Sequence, residues 1–405
     1  AELRDPGRRA PRGDITCPHC WHSFDVEDFL YIARHQTLVG DPVLGPEAQQ
    51  RFLPSRFTRE GNAVDSAGMS CPDMACPRCH LRIPQTAGEM PPLFISIVGA
   101  PASGKSYFLT GMVWALRNRL SRTFAVSFAD TDAINNQLLN DFEETLFLNS
   151  DPDSLVALRK TELQGELYNQ VLLDGMIINL PKPFMFSITP AEHHPHYEDV
   201  RDSMSRTLVL YDNAGEHFEP GMDSVDNPTT RHLLHSDIVF FLFDPTKDVR
   251  FRQRCESEDP QLAKGSRVQR QEILLTEMIN RIKKYSGMKA GRKSAKTLVI
   301  IIPKADIWKK LLGYPIPDEP WQWEREYNTS ALNVEEIKNV SYACRHLLEQ
   351  TCPELVSTAE SYAGDVLYIP TSALGASPEL HEESGMLGIR PRDIRPFWIS
   401  VPMLY

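Results

Sequence analysis

Apolar residues fall into two rhythms along most of this chain. From about residue 91 onward, short runs of branched and aromatic residues alternate with longer stretches whose apolar positions return every three or four residues. The short runs, bounded by Gly, Pro, Asp or Ser, predict buried strands, and the longer stretches predict amphipathic helices. Strands are expected at "LFISIVGA" (93–100), "FMFSIT" (184–189), "RTLVLYD" (206–212), "DIVFFLFD" (237–244), "TLVIIIP" (297–303) and "VLYIPTS" (366–372). Helices are expected at about 104–120, 132–147, 153–172, 266–286 and 333–351. Such alternation predicts an α/β fold on a largely parallel sheet. The short link between "FMFSIT" and "RTLVLYD" suits an antiparallel pair better than a crossover with its own helix, so one antiparallel strand is expected on the parallel sheet.

The first 90 residues follow neither rhythm. They hold five of the eight cysteines, many prolines and glycines, and no lysine. A small domain is expected over 1–90, joined at "MPP" (90–92) to a large domain over 91–405 with a helical insertion at about 121–180. The 405 residues accommodate two to three domains at roughly 150 residues each. Hydrophobic content of 41% and charged content of 24% are those of a soluble globular protein. The net charge of −11 argues against general nucleic-acid binding, and 10 arginines against 12 acidic residues in 1–90 leave no phosphate footprint there. No run is long enough for a membrane span, and "AELRDPGRRAPRGD" lacks the apolar core of a secretory signal, so a cytoplasmic protein is the default expectation. Charge is uneven, with 14 Lys/Arg and 6 Asp/Glu over 247–296. A solvated helix-and-loop face explains that excess most simply. The sharper reading is a contact for a polyanion or an acidic partner, with Arg250, Arg252 and Arg254 as the residues to test.

"CPHC" sets Cys17 and Cys20 three apart, and "CPRCH" sets Cys76 and Cys79 likewise. Each knuckle can turn two thiolates onto one ion, and two knuckles complete the tetrahedral shell of Zn2+. Their separation is much longer than the usual ~15–20 residues, so residues 21–75 are expected to loop out of a zinc ribbon. Cys71 and His80 stand nearby as spare ligands. Disulfides are disfavoured in a cytosolic chain. Four thiolates leave no open position, so the metal is expected to be structural, and the module to recognise protein.

"FISIVGAPASGKSYFLTGMVWAL" carries G-x-x-x-x-G-K-S from Gly99 to Ser106, between a predicted strand and a predicted helix. Backbone N–H groups of such a loop, with the helix N-terminus, surround a phosphate. Lys105 adds a point charge at the β/γ-phosphates, Ser106 a hydroxyl for Mg2+, and Gly104 a close backbone approach. In "TLVLYDNAGEHF", Asp212 ends a strand where a carboxylate can hold the Mg2+ shell, and Gly215 can offer its N–H to a γ-phosphate.

"GAPASGKS", "DNAG", "KAD" and "TSAL" follow in that order, each at a predicted strand end. Over most of 91–375 the chain therefore resembles the Ras-like, translation-factor-related (TRAFAC) class of P-loop GTPases. The resemblance implies a three-layer sandwich, with a mostly parallel sheet, one antiparallel strand, and GTP or GDP with Mg2+ as ligands. By the same resemblance the phosphates lie against Gly99, Ala100, Pro101, Ala102, Ser103, Gly104, Lys105, Ser106 and Tyr107. Lys304 would lie along the purine, and Asp306 would accept from guanine N1–H and N2–H2. Ser372 and Ala373, with Leu374 beside them, would present backbone N–H to O6, which disfavours adenine. The cysteine knuckles, "SDIVFFLFDPT" and the Pro-rich C-terminal end are most similar to the bacterial double-GTPase group. That likeness implies a part in a multi-component conflict or signalling system.

Three departures qualify this. Pro303 stands where the class has an asparagine that ties the base loop to the P-loop, and proline brings neither a side-chain donor nor an N–H. Glu216 stands where many members place a water-orienting glutamine, with His217 beside it. No threonine occurs over 162–188, where a switch threonine is expected, and Thr161 and Thr189 are poorly placed. A slow or partner-activated GTPase is expected, with Lys105, Asp212 and Glu216 as its catalytic groups. Arg206 and Arg231 are candidates for a stabilising charge in cis. The alternatives are a nucleotide-binding scaffold without turnover, and an ATPase with a zinc-bearing protein-recognition module. "EHHPHYED" (192–199) could bind a metal or read phosphate, though a polar hairpin loop is the plainer reading.

Overall fold

A computed structural model of the chain describes residues 13–159, 167–212, 231–263, 270–289, 291–381 and 387–405. Its centre is a seven-stranded mixed sheet. In chain order the main elements begin with β1 (Pro92–Gly99), α1 (Lys105–Phe124), β2 (Val126–Asp130) and α2 (Ala133–Phe147). A hairpin, β3 (Tyr168–Leu173) and β4 (Met176–Pro181), leads to β5 (Phe184–Pro190), α3 (Tyr197–Met204) and β6 (Arg206–Asp212). Then come β7 (Ile238–Leu242), α4 (Gln271–Ser286) and β8 (Thr297–Ile302). A second hairpin, β9 (Trp321–Glu324) and β10 (Thr329–Leu332), precedes α5 (Val334–Thr351), α6 (Pro353–Tyr362) and β11 (Val366–Pro370).

The sheet order is β2-β5-β6-β1-β7-β8-β11. β6, β1, β7, β8 and β11 are parallel neighbours, and β5 pairs antiparallel with both β6 and β2. β5 therefore runs against the other six, as the short link to β6 predicts. The central strands are buried on both faces, so their apolar runs do not alternate. α1 packs a stripe of Phe108, Leu109, Met112, Val113, Leu116 and Leu120 on the sheet. Asp132 caps α2 by accepting from Asn135 N at 3.1 Å, and Asn333 caps α5 by accepting from Glu336 N at 3.0 Å.

The expected helix over 153–172 does not hold. No helix lies within its described part, 153–159, and β3 takes Tyr168–Leu173. The cause is the turn that follows, where Asp174 (φ +52°) and Gly175 (φ +78°) form the tight Asp-Gly link of a hairpin. Among its described residues the insertion thus holds an edge strand, one helix and a hairpin.

Before β1, short strands build four small sheets among the described residues, two of them the hairpins Val39–Asp41 with Gly45–Gln49 and Ala63–Val64 with Ser70–Cys71. Ile15–Thr16 pairs with Ser23–Phe24, and a four-stranded sheet runs Arg82–Ile83, Met74–Ala75, Leu30–Ile32, Arg51–Phe52. Their core of Ile15, Phe24, Phe29 and Ile83 is continuous with Val171, Leu173 and Leu180 of the β3–β4 hairpin. Trp21 packs with Phe94, Met185, Val209 and Tyr211, so this module covers the face of the sheet formed by β5, β6 and β1. Among the described residues no helix is long and apolar enough to cross a membrane.

Candidate functional site

The carboxyl ends of five strands come to one edge. Ile97 pairs with Asp212, Gly99 with Leu242, Leu242 with Ile301, and Ile302 with Pro370. Ligands of α/β sheets bind at such an edge, where connections leave the central strand on opposite sides. The loop 100–104 turns tightly here, with Ala102 at φ +55° and Gly104 at φ +91°. A Cβ on Gly99 would stand 2.9 Å from Ser103 Oγ and 3.1 Å from the Leu242 carbonyl oxygen, so only glycine fits. Ser103 N donates to Ala100 O at 3.1 Å, closing the turn. Lys105 Nζ folds back over the loop and donates to the Gly99 and Ala100 carbonyls at 2.9 and 3.1 Å. Ser106 follows in the first turn of α1, whose N–H groups favour an anion. The Tyr107 hydroxyl accepts from Leu158 N at 2.9 Å, and burial raises its pKa.

Asp212 closes β6 with Oδ1 buried and, among the described residues, without a hydrogen-bond partner. Burial pushes its carboxyl up to about 6 against the opposing charge of Lys105. A buried, orphaned carboxylate oxygen beside the P-loop suits an Mg2+ shell shared with the Ser106 hydroxyl. Gly215, Glu216 and His217 lie outside the described residues, as does Thr161. Arg206 does not reach this edge. It opens β6, about 20 Å from Asp212 at ~3.3 Å per residue, and donates to the Asp202 and Ser205 carbonyls.

"KAD" and "TSAL" fold into one unit. Ala305 N donates to Thr371 O at 2.9 Å, and Ser372 Oγ donates to Asp306 Oδ1. Burial raises the Asp306 pKa, and the Ser372 bond opposes it. Gly375 N donates to Ser372 Oγ at 2.8 Å. The Ser372 N–H donates to Phe397 O at 2.9 Å. Ala373 and Leu374 follow, with Ala373 packed so close to α1 that a Cβ on Gly111 would lie 3.6 Å from its own.

The base loop is held in a way the sequence reading missed. Lys304, at φ +60°, donates from Nζ to Asp244 Oδ2 at 2.7 Å and Thr246 Oγ1 at 2.9 Å. The Pro303 carbonyl accepts from Trp308 Nε1 at 2.8 Å. Asp244 is fully buried, its Oδ1 accepts from Thr246 N and Oγ1, and Gln271 binds both its N–H and its carbonyl. Lys247 Nζ donates to Pro101 O at 2.5 Å. The available signal was "FDPTK", directly after β7.

The four predicted cysteines converge, with all Sγ atoms within 4.8 Å of one another. Cys17–Cys79 and Cys20–Cys76 are each 3.7 Å apart at sulfur. At a Zn–S length of ~2.3 Å a tetrahedron has edges of about 3.8 Å, so the set fits Zn2+. Backbone N–H groups of His19 and Arg78 point at Cys17 and Cys76 Sγ, both at 3.4 Å. The spare ligands are engaged elsewhere, Cys71 with the Asp65 carboxylate and His80 with Asp41. Among the described residues no other group of three or more His, Cys, Asp or Glu is close enough to share an ion. In the basic segment, Arg250 binds Asp248 and Glu354, Arg252 the Leu262 and Ala263 carbonyls, and Arg254 Gln350.

No protein-family model matches the chain. A curated Mycolicibacterium smegmatis protein named "Putative ESX-1 scaffolding and assembly protein SaeC" is 28% identical over 173 residues, covering 42% of this chain and 38% of that protein. Among solved structures, the S. cerevisiae Ski7 GTPase-like domain bound to GDP and inorganic phosphate overlays with a TM-score of 0.27 at 13% identity, over 73% of this chain and 48% of that one. The same domain bound to GTP gives 0.26 at 14% identity, over 72% and 47%. The chain thus spans less than half the length of each of these three.

Proposed function

We propose that the chain is a guanine-nucleotide-binding protein of the Ras-like P-loop kind, with an N-terminal module that holds a structural Zn2+. The observation that carries this reading is the bond from Ser372 to Asp306, which joins "TSAL" to "KAD" at the edge where the P-loop and Asp212 also end. A mostly parallel sheet with β5 alone reversed supports it.

In this reading Lys105 leaves the Gly99 and Ala100 carbonyls for the β/γ-phosphates. Ser106 and Asp212 hold Mg2+, which supplies charge neutralisation and orientation when bound. Asp306 accepts from guanine N1–H and N2–H2, while the Lys304 stem lies along the purine with its ammonium anchored. The Ala373 N–H takes the place expected for Ser372 at O6. Glu216 orders water, and turnover is slow or completed by a partner. The likeness to the double-GTPase group and the partial match to a protein named for scaffolding and assembly support a place in a bacterial multi-protein system. The same name favours a second reading, a scaffold that binds nucleotide without turnover. Multiple-turnover GTP hydrolysis that Lys105→Ala abolishes would remove it.

Competition binding of GDP, ADP and XDP to the wild-type chain and to Asp306→Asn tests the base assignment. Guanine preference in the wild type and a shift towards xanthine in the variant are expected. ADP binding as tight as GDP, or no shift in the variant, overturns the guanine reading.

A further inference from the structure

Nothing at position 303 can tie the base loop to the phosphate loop, because proline has no side-chain donor and no N–H. We propose that Asp244, Thr246 and Lys247 form a brace that replaces the missing asparagine and sets the spacing between the two halves of the nucleotide site. The brace rests on the guanine-nucleotide reading and names positioning residues for it.

Register explains how one strand end can stand in for another. Leu242 of β7 pairs with Ile301 of β8, so Asp244 and Pro303 each lie two residues past that paired position. A side chain from the β7 end can therefore occupy the space that an asparagine at 303 would have used. One arm of the brace runs to the base loop, from Lys304 Nζ to Asp244 Oδ2 at 2.7 Å and Thr246 Oγ1 at 2.9 Å. The other runs to the phosphate loop, from Lys247 Nζ to Pro101 O at 2.5 Å. Both arms leave one short turn, which Asp244 fastens by accepting from Thr246 N at 3.0 Å and Thr246 Oγ1 at 2.7 Å. The buried Gln271 side chain pins Asp244 from behind with two bonds of 2.8 Å.

Charge favours a positioning role over simple cohesion. A buried Asp–Lys pair pays heavily in desolvation, and an apolar pair of the same size would hold the fold as well. What the polar set adds is a fixed direction for Lys304. Lys105 and Lys247 together place two ammonium groups on three successive loop carbonyls, Gly99, Ala100 and Pro101.

The test is GDP affinity of the full chain, measured calorimetrically for the wild type, Lys247→Met, Lys247→Arg and Thr246→Val. Lys247 is only partly buried, so its variants should keep the melting temperature and zinc content of the wild type. Loss of one charge-assisted bond should weaken GDP binding roughly tenfold to a hundredfold in Lys247→Met. Lys247→Arg, which can reach the same carbonyl, should recover most of that loss, and Thr246→Val should weaken binding by a smaller factor. A wild type that prefers guanine together with an unchanged Lys247→Met overturns the brace and leaves the base assignment standing. A wild type that binds no guanine nucleotide overturns both. Loss of binding in Lys247→Met that tracks a lowered melting temperature and is not rescued by arginine reduces Lys247 to a structural residue and also overturns the brace.

Discussion

Tyr211→Phe removes one oxygen from the seam between the cysteine module and the sheet. The Tyr211 hydroxyl donates to Pro18 O at 2.6 Å and accepts from Trp21 Nε1 at 3.0 Å. Both bonds are buried; Pro18 lies within the Cys17–Cys20 knuckle and Trp21 directly follows it. The ring itself keeps its contacts with Phe94 and His232, at centroid distances of 6.2 and 5.0 Å, so no cavity opens. The loss is therefore that of two stranded polar groups, a carbonyl and an indole N–H. At about 1–3 kcal/mol for each, the seam should weaken by roughly 2–6 kcal/mol. The assay is urea unfolding followed by two probes, far-UV circular dichroism for the sheet and metal release to a chromogenic chelator for the module. Two probes are needed because a chain of this size need not unfold in one step. A slope of about 3 kcal/mol/M turns the loss into a shift of about 1 M, which should be larger for metal release than for the sheet. Stripping the metal from the wild type should loosen the same seam, since the knuckle presents Pro18 and Trp21. Midpoints unchanged to within about 0.2 M on both probes would refute the view that this hydroxyl fastens the module.

Two further outcomes follow from particular residues. Burial pushes Glu143 up to about 7 against the attraction of Arg117 and with added repulsion from Asp130, while an unfolded glutamate titrates near ~4.3. The folded chain holds that proton more tightly, so the stability it contributes is full below about pH 4.3 and is lost as pH rises through 7. Glu143→Gln should flatten the fall in melting temperature over that window, and an unaltered profile would sink the assignment. Gly375 sits at φ +70°, and a Cβ there would collide with the Arg395 carbonyl oxygen. Gly375→Ala should cost at least about 2 kcal/mol, whereas Gly313→Ala, at φ +61° in open space, should cost about 1 kcal/mol; equal melting temperatures for the two would contradict this.

What could be read from the sequence depended on how local its cause was. Six of the seven strands of the central sheet, all but the edge strand β2, were legible, because buried strands need uninterrupted apolar runs and Gly, Asp or Pro marks their ends. The cysteine set was legible because each knuckle carries its own geometry in four residues. That Cys71 and His80 stand apart was not legible, since Asp65 and Asp41 decide it across the fold. Residues 168–172 were read as helix because apolar spacing outweighed the Asp174–Gly175 turn that reverses the chain. α6 was missed because Pro353 reads as a helix stop, although at the first helical position it begins a new helix.

The base loop shows where motif reading reaches its limit. A motif records which residues stand together at one strand end, but the physical requirement is a donor or acceptor at a place in space. Parallel neighbours in register bring several strand ends to that place, and any of them can supply the group. Here β8 keeps the aspartate and the lysine, while the anchoring groups come from the end of β7, 58 and 60 residues earlier in the chain. A proline is tolerable at 303 because its carbonyl still holds Trp308 and its side chain is asked for nothing. Damage to a motif should therefore be judged only after the neighbouring strand ends have been searched for the same chemistry, and in this chain the search ends at Asp244, Thr246 and Lys247.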